Sequence, residues 1–232
     1  MSITQFGFTR LGFTVMASSM SEQISPFTPR CHVGGFTATN GYAFQAPTGW
    51  IGVDAPSDFA AWLREQNITL SALLLTHAHF DHVMDAAAIA EEHGCEIYAW
   101  EISTPQIRLE TFLRGMAGIE IAVIDYPVHH ALKADGRGTL LVCGLEIRFA
   151  PVPGHSPDSV IFHLPSELAV FSGDTLMNGT MGRTDFPEGS TRLLVDGMRR
   201  ELLGLPEATR VFPGHGDPTT IGQEKPWVDS LA

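Results

Sequence analysis

The segment Thr76-His77-Ala78-His79-Phe80-Asp81-His82 places three imidazoles and one carboxylate within six consecutive positions. Clustered imidazoles repel one another when protonated, and they leave ring nitrogens unpaired when buried without a partner. A metal ion removes both penalties, so the segment indicates a metal site. Asp81 taken alone has a second interpretation, because aspartate is also a good N-cap for a helix that follows.

The flanking sequence predicts that this cluster lies on a strand-to-helix turn. Residues 70–76 (LSALLLT) form a short apolar run, which is typical of a buried strand that ends at the first histidine. Residues 82–93 (HVMDAAAIAEEH) are rich in helix formers and stop before Gly94. Such a turn can direct His77 and His79 to one spot and Asp81 and His82 to its neighbour. Two adjacent metal positions are therefore predicted.

Strand-like and helix-like segments alternate along the rest of the chain, and no linker of disordered composition divides it. We therefore predict one domain at residues 24–232, preceded by an N-terminal extension at residues 1–23 that lies outside the fold. The other predicted elements are two strands within 36–53, a helix at 57–67, a strand at 95–100, an irregular region at 101–138, strand pairs at 139–151 and 159–172, an amphipathic helix at 191–205 and a strand at 209–213.

Composition narrows the range of partners. The 232 residues are 44% hydrophobic and 17% charged, which is ordinary for a soluble globular protein. A net charge of −12 disfavours nucleic acid and anionic membranes, since both require a basic face. The three cysteines show no C-x-x-C pair, so neither a disulfide framework nor a thiolate zinc site is indicated. We expect a cytoplasmic protein that acts on a small-molecule substrate, because no convincing signal peptide or membrane span is present.

Three further residues share one kind of position, directly after an apolar strand in a turn that contains glycine or proline. They are His155 after LEIRFAPVPG, Asp174 after ELAVFSG and His215 after RVFPG. Each alone could be a loop histidine or a turn-forming aspartate. Ligands gather where strand ends open onto loops, so the shared placement predicts that all three converge on the His-rich turn. We expect surface or core roles for the remaining histidines, namely His32, His93, His129, His130 and His163.

In this order, the motifs resemble those of the metallo-β-lactamase superfamily over almost all of residues 30–225. The matching elements are Asp54 in VDAP, the H-x-H-x-D-H turn, His155 in PGHSPDS, Asp174 in FSGDTL and His215 in PGHGD. The loop at 182–187 (GRTDFP) is similar to that of the glyoxalase II and persulfide dioxygenase branch. The resemblance implies an α/β fold, a four-layer αββα sandwich with a metal centre at one edge of two packed sheets.

The resemblance also implies roles for individual residues. The first metal would be held by His77, His79 and His155, and the second by Asp81, His82 and His215. Asp174 would bridge both metals, and Asp54 would fix the turn by hydrogen bonds.

Two further positions concern the substrate and the surroundings of the metal. Arg183 and Phe186 would contact a carboxylate and an apolar part of the substrate, although Arg183 could instead form an ion pair with Asp185. Asp158 stands where the family usually has glycine, and it either tunes the surroundings of the metal or shapes the turn.

Imidazole and carboxylate donors without thiolate suit zinc, iron or manganese, and we take two zinc ions as the leading expectation. Two such ions lower the pKa of a shared water from 15.7 towards ~7, so no serine or cysteine nucleophile is needed. The leading hypothesis is a glyoxalase II-like hydrolase that cleaves a thioester, for which glutathione thioesters are candidates, with Asp81 and Asp174 as catalytic carboxylates.

Two other functions remain open. In one, a single iron bound by His79, His155 and Asp174 activates oxygen for persulfide oxidation. In the other, the chain is a non-catalytic metal-binding protein. Common β-lactamases carry cysteine where Asp174 stands, and diiron flavoproteins carry glutamate where His79 stands, so neither pattern fits. Glyoxalase II continues into a helical domain that grips glutathione, whereas 17 residues follow His215 in this sequence, and we expect that grip to be missing.

Overall fold

The computed structural model describes residues 27–100, 103–132 and 136–231. The extension predicted at residues 1–23 lies outside the described residues. Two six-stranded sheets form the centre of the fold, each with a mixture of parallel and antiparallel neighbours.

The first sheet has the strand order β1-β2-β3-β4-β5-β6. Its strands are β1 Arg30–Gly34, β2 Thr39–Ala46, β3 Gly49–Val53, β4 Leu70–Leu74, β5 Glu96–Ala99 and β6 His130–Ala131. The first three strands pair antiparallel, and β3 to β6 run parallel.

The second sheet has the order β12-β11-β10-β9-β8-β7. Its strands are β7 Gly138–Val142, β8 Leu145–Pro151, β9 Val160–Leu164, β10 Ala169–Gly173, β11 Arg210–Pro213 and β12 Thr219–Thr220. Among the described strands of this sheet, β10 and β11 are parallel neighbours and the other pairs are antiparallel.

Helices cover the outer face of each sheet. They are α1 Phe59–Glu65, α2 Phe80–Val83, α3 Ala86–His93, α4 Glu110–Ala117, α5 Thr191–Glu201 and α6 Ile221–Ser230, with a short 3-10 helix at Pro165–Glu167. Within the described residues, none of these helices has the length and apolar character that a bilayer crossing requires.

The core has three layers, which follow from the two-residue alternation of the strands. In β9, Val160 and Phe162 point between the sheets, and Ile161 points outward to the layer beneath α5 and α6. A cluster of aromatic rings fills the space between the sheets, where Phe44 stacks on Phe171 with ring centroids 5.4 Å apart. The predicted αββα sandwich is therefore confirmed.

The structure corrects the helix predicted after the His-rich turn and rules out the N-cap interpretation of Asp81. The helix predicted at 82–93 is broken into α2 and α3 at Asp85, whose amide donates to Ala55 O (3.0 Å) and whose carboxylate accepts from Ala60 N (2.9 Å). These contacts to the start of α1 hold Asp85 out of helical conformation. Asp81 is not an N-cap: it lies inside α2, and His79 occupies the cap position.

Two helices lie where none was predicted. The region predicted to be irregular at 101–138 contains α4 and β6. The start of α4 is held by buried Arg108, which donates to Glu110 (2.6 Å) and to Asp125 (2.9 Å). The second helix, α6, contains Pro226, which lacks an amide donor and obscures the helical pattern. A local pattern contains neither the long-range contact that holds the start of α4 nor a clear helical signal for α6.

Candidate metal centre

The predicted donors and Asp54 lie at one edge of the two facing sheets, on loops except for Asp81 and His82, which lie in the short helix α2. Asp54 follows β3 and the His-rich turn follows β4, which are parallel neighbours in the first sheet. Asp174 follows β10 and His215 follows β11, which are parallel neighbours in the second sheet. His155 is on the loop between β8 and β9. Because neighbouring parallel strands end at the same edge of a sheet, residues far apart in sequence meet there.

All seven predicted donors belong to three overlapping groups that could hold a metal ion. In each group, the ligand atoms lie within 4.8 Å of one another. The groups are His77 with His79 and His155, His77 with His82 and Asp174, and Asp81 with His82 and His215. The first and third groups have the same members as the two sets that the resemblance implies.

The separations between ligand atoms fit a bound cation. Asp174 Oδ2 lies 3.4 Å from both His155 Nε2 and His215 Nε2, and Asp174 Oδ1 lies 3.5 Å from His82 Nε2. His215 Nε2 is also 3.5 Å from Asp81 Oδ2. Ligands at 2.0–2.1 Å from a tetrahedral ion are about 3.3 to 3.4 Å apart. Asp174 therefore lies between the two groups at distances that suit a shared ligand.

Several of these atoms have no hydrogen-bond partner despite deep burial. They are His82 Nε2, His155 Nε2 and Asp174 Oδ1, in side chains that are 0–9% exposed. A buried polar atom without a partner costs about 1–3 kcal/mol. Three such atoms facing one another match the donor set of a metal centre, so the residues present fit the ion that they are predicted to hold.

The outward-facing ring nitrogens orient most of these imidazoles. His155 Nδ1 faces Arg183 O at 2.8 Å, and His215 Nδ1 faces Thr37 O at 3.2 Å. A carbonyl only accepts, so Nδ1 carries the proton on both rings and Nε2 is left free to bind a metal. His79 differs, because its Nδ1 lies 3.1 Å from His77 Nε2 and so belongs to the first group.

Asp54 fixes the His-rich turn from behind. Its carboxylate accepts from Thr76 N (2.8 Å) and Thr76 Oγ1 (2.8 Å to Oδ2), and it lies 2.8 Å from His82 Nδ1. The residue is 2% exposed and has a left-handed backbone (φ 56°), which aspartate tolerates better than most residues. One buried carboxylate thus determines the direction of His82 and the end of β4 together.

Burial and charge divide the imidazoles into two kinds. Burial and the neighbouring imidazoles hold the pKa of His77 and His79 well below its usual range, and burial lowers the pKa of His155. A lowered pKa favours the neutral ring, which is the form in which an imidazole binds a metal.

At His82 and His215, neighbouring carboxylates together have a larger effect on the pKa than burial has. Burial alone would lower the pKa of His82, but Asp81, Asp54 and Asp174 together raise it well above its usual value. Burial likewise opposes the effect of Asp174 and Asp81 on His215, yet these two carboxylates raise its pKa to about 10. The negative potential that favours a proton on these rings also favours a metal cation.

Close packing around the donors involves residues that the sequence analysis did not single out. A side chain at Gly214 would contact Asp174 Oδ1 and lie 2.6 Å from His82 Cε1. Thr39 Oγ1 donates to Asp81 Oδ2 at 2.7 Å, and Asn40 holds the loop of His215 by donating to Gly216 O at 2.8 Å. No local motif reveals these roles, because Thr39 and Asn40 meet partners that are 42 and 176 positions away.

A cleft of about 310 Å³ opens onto the donors. Its lining residues are Thr37, His79, Phe80, Asp81, Leu109, His155, Asp174, Met177, Gly182, Arg183, Phe186 and His215. Arg183 and Phe186, the two residues predicted to contact substrate, are both part of this lining.

Arg183 lines the cleft and is also engaged with its neighbours. It makes two 2.6 Å hydrogen bonds to Asp185, and its guanidinium carbon lies 4.4 Å from the ring centroid of Phe186. The ion pair between Arg183 and Asp185, which the sequence analysis gave as an alternative role for Arg183, is therefore present. Phe186 presents its edge to His79, with ring centroids 5.5 Å apart.

The other histidines of the described chain lie outside the cleft. His93 Nδ1 accepts from Leu70 N, and His129 Nδ1 accepts from Ile97 N, both at 3.0 Å. His130 contacts Glu96, and His32 contacts Ser57 O. These four histidines have surface and packing roles, and the fifth, His163, is half-buried and lines a separate cavity beside Arg148.

The sequence model of the metallo-beta-lactamase superfamily matches residues 35–215. This range contains all seven donors, Asp54 and the helices α1 to α5. The chain therefore belongs to the metallo-β-lactamase superfamily, and its His/Asp cluster is of a kind able to bind metal ions.

Two curated relatives match most of the chain. The "Probable metallo-hydrolase YqgX" of Bacillus subtilis is 34% identical over 169 residues, which is 71% of this chain and 77% of the relative. The "Hydroxyacylglutathione hydrolase GloC" of Haemophilus influenzae is 32% identical over 163 residues, which is 70% of this chain and 76% of the relative.

Two solved structures share the fold over most of their length. The BLEG-1 B3 metallo-beta-lactamase has a TM-score of 0.75 and 31% identity, and the match covers 86% of this chain and 97% of BLEG-1. TTHA1623, solved in a di-iron-bound form, has a TM-score of 0.70 and 32% identity, and the match covers 85% of this chain and 96% of TTHA1623.

Proposed function

We propose that this metallo-hydrolase cleaves small-molecule thioesters, using two metal ions held by the seven donors. The observation that carries the proposal is the set of buried and half-buried ligand atoms around Asp174, which lie 3.4–3.5 Å from its carboxylate oxygens and are in part without hydrogen-bond partners. Asp81, His82 and His215 complete a second group beside the first. A set of this size supports two ions, where a mononuclear oxygenase needs only one.

The donors suit zinc, iron or manganese, since no thiolate is among them. We propose that the bound metal is zinc. Iron is the alternative, because the similar TTHA1623 was solved in a di-iron-bound form. When bound, a pair of such ions supplies a water of lowered pKa and polarises the carbonyl of the substrate.

The side chains of the cleft have separate tasks in this reaction. Asp174 and Asp81 balance the charge of the ions, and their carboxylate oxygens can accept a proton released from water. Asp54 holds His82 by the 2.8 Å contact to Nδ1, so that Nε2 keeps its direction. Phe80 and Phe186 form apolar walls that exclude bulk water from the donors.

A thioester is favoured over other carbonyl substrates for two reasons. A thiolate leaves with little acid assistance, and the described cleft offers no lysine as a proton donor. The similar GloC of H. influenzae is named a hydroxyacylglutathione hydrolase, which supports a glutathione-derived thioester as one candidate. The similarity to BLEG-1 makes a β-lactam the comparison substrate.

The experiment combines metal analysis per chain with three assays on one preparation. The assays are hydrolysis of lactoylglutathione, hydrolysis of a β-lactam and persulfide-dependent oxygen uptake. We expect two metal ions per chain and thioester hydrolysis. Asp174→Ala should lower hydrolysis by more than about 100-fold, because it removes the ligand shared by both groups. Asp196→Asn, an exposed aspartate of α5, is the control and should change nothing.

The competing functions give different results in the same experiment. One iron per chain with oxygen uptake and no hydrolysis would replace the proposal with a persulfide dioxygenase. Bound metal without any of the three activities would indicate a non-catalytic metal-binding protein.

A further inference from the structure

The carboxylate of Asp158 is buried beside the first donor group and joins the two loops that carry it. The residue is 7% exposed. Its Oδ2 accepts from the backbone amide of Ala78 at 2.8 Å, and its Oδ1 accepts from Ser156 Oγ. Ala78 stands between His77 and His79 in the chain, and Ser156 directly follows His155. One side chain therefore contacts the immediate neighbours of all three imidazoles.

These two loops come from different sheets. The His77–His79 turn follows β4 in the first sheet, and the loop of His155 leads into β9 in the second. Asp158 and Ala78 are 80 positions apart, so the covalent chain does not determine their separation. A second contact beside it, from Val160 N to Thr76 O at 2.8 Å, runs between the same loops. Metal–ligand distances vary by only about 0.2 Å. An ion bound by His77, His79 and His155 therefore requires a constant distance between the two loops that carry them.

The charge of Asp158 also differs from that of the nearest ligands. The first group consists of three imidazoles, which are neutral when they bind a metal. The second group contains the Asp81 carboxylate and has the buried Asp54 behind it, 2.8 Å from His82 Nδ1. Asp158 places a buried carboxylate against the backbone amide of Ala78 and the hydroxyl of Ser156, which adjoin the residues of the first group.

We propose that Asp158 is a positioning residue for the first metal site, which holds the His155 loop against the His77–His79 turn and adds negative charge beside three neutral ligands. The inference rests on the proposed two-metal function. It assigns a role to the one residue of the PGHSPDS segment that departs from the usual pattern of the family.

Two substitutions distinguish the hydrogen bonds of Asp158 between the loops from the effect of its charge. Asp158→Ala removes both, while Asp158→Asn keeps the size and an acceptor for Ala78 N but removes the charge. We expect Asp158→Ala to weaken binding at one of the two metal sites by about 10–100-fold and to leave the other site unchanged. Asp158→Asn should weaken the same site to a smaller extent.

The measurement is Zn²⁺ affinity by competition with a chromophoric chelator, supported by the absorption spectrum of the Co²⁺-loaded protein. Both report the site itself rather than turnover. The matched control is Glu224→Gln, because Glu224 is a 3% exposed carboxylate that also accepts from a backbone amide, Gly179 N (2.9 Å), and belongs to none of the donor groups. It should lower stability without changing metal affinity or the Co²⁺ spectrum.

Each outcome decides the inference. Unchanged Zn²⁺ affinity in both Asp158 variants would overturn it, as would an equal loss in Glu224→Gln. If Asp158→Ala does not fold, the near-isosteric Asp158→Asn still decides whether affinity falls at one site. Wild-type protein that binds fewer than two ions would overturn the proposed function together with this inference. Two tightly bound ions in every variant would overturn this inference alone.

Discussion

At the scale of single residues, most side chains of the candidate site are held by a second contact. His155 and His215 are turned by backbone carbonyls, His82 by Asp54 and Asp81 by Thr39. Such outer contacts fix the direction of a ligand and raise its basicity. The donors therefore depend on neighbours that bind no metal themselves.

Gly214 provides a prediction at this scale. In Gly214→Ala the new methyl group would contact Asp174 Oδ1 and lie 2.6 Å from His82 Cε1, so both donors must move. We expect about one metal ion per chain to be lost after dialysis, measured by elemental analysis, while circular dichroism stays close to that of the wild type.

The matched control for this prediction is Gly115→Ala in α4, where a side chain would meet nothing within 4 Å. Alanine is a better helix former by about 1 kcal/mol, so this variant should keep its metal and be slightly more stable. Full metal content in Gly214→Ala would show that the described packing does not constrain the donors.

At the scale of secondary structure, the loops of the site are anchored to the start of α5. Ser190 is the N-cap of α5, and its Oγ accepts from Leu193 N at 3.3 Å. Its own amide donates to Gly154 O at 2.7 Å, next to His155. A helix start on the outer layer is thereby joined to a loop of the candidate centre.

The cap gives the second prediction. Ser190→Ala should lower the free energy of unfolding by about 1 kcal/mol, because the amide of Leu193 loses its acceptor, whereas Ser190→Gly should cost only a few tenths. Metal content should be unchanged, since the amide of residue 190 still donates to Gly154. Urea unfolding of both variants at fixed metal concentration tests this. Equal stability of the alanine and glycine variants would contradict the capping role.

At the scale of the whole molecule, the candidate centre draws donors from both sheets. The first sheet supplies the His-rich turn, and the second supplies His155, Asp174 and His215. Asn40 and Tyr42 of β2 also reach across, since both donate to Pro213 O of β11, at 3.0 Å and 2.8 Å. A ligand held by both sheets must stabilise their association, because it binds the folded chain and not the separated parts.

Metal removal provides the third prediction. At a metal concentration 100 times Kd, binding adds about 2.7 kcal/mol to the free energy of unfolding. For a chain of this length, that corresponds to a loss of roughly 5 to 10 °C in Tm when a chelator removes the metal. Thermal unfolding with and without chelator measures the shift, and Asp174→Ala serves as the control with a smaller shift. If the Tm of the wild type is the same with and without chelator, the metal does not contribute to stability.

Much of the architecture could be predicted because it depends on local pattern. The apolar run at residues 70–76 became β4, the amphipathic segment at 191–205 became α5, and the placement of His155, Asp174 and His215 after apolar strands predicted their convergence. These features follow from two-residue and 3.6-residue periodicity and from the geometry of strand ends.

Other features were decided only by tertiary contacts. The break at Asp85 requires α1, the start of α4 requires the buried Arg108, and the orientation of Asp81 requires Thr39 in β2. Asp158 was visible in the sequence as a departure from a motif, but its contact with Ala78 is not. The sequence by itself determined which donors exist and in what order they occur. The tertiary structure alone decided how far apart they stand and what holds them, because hydrogen bonds between distant segments form only when the two sheets pack.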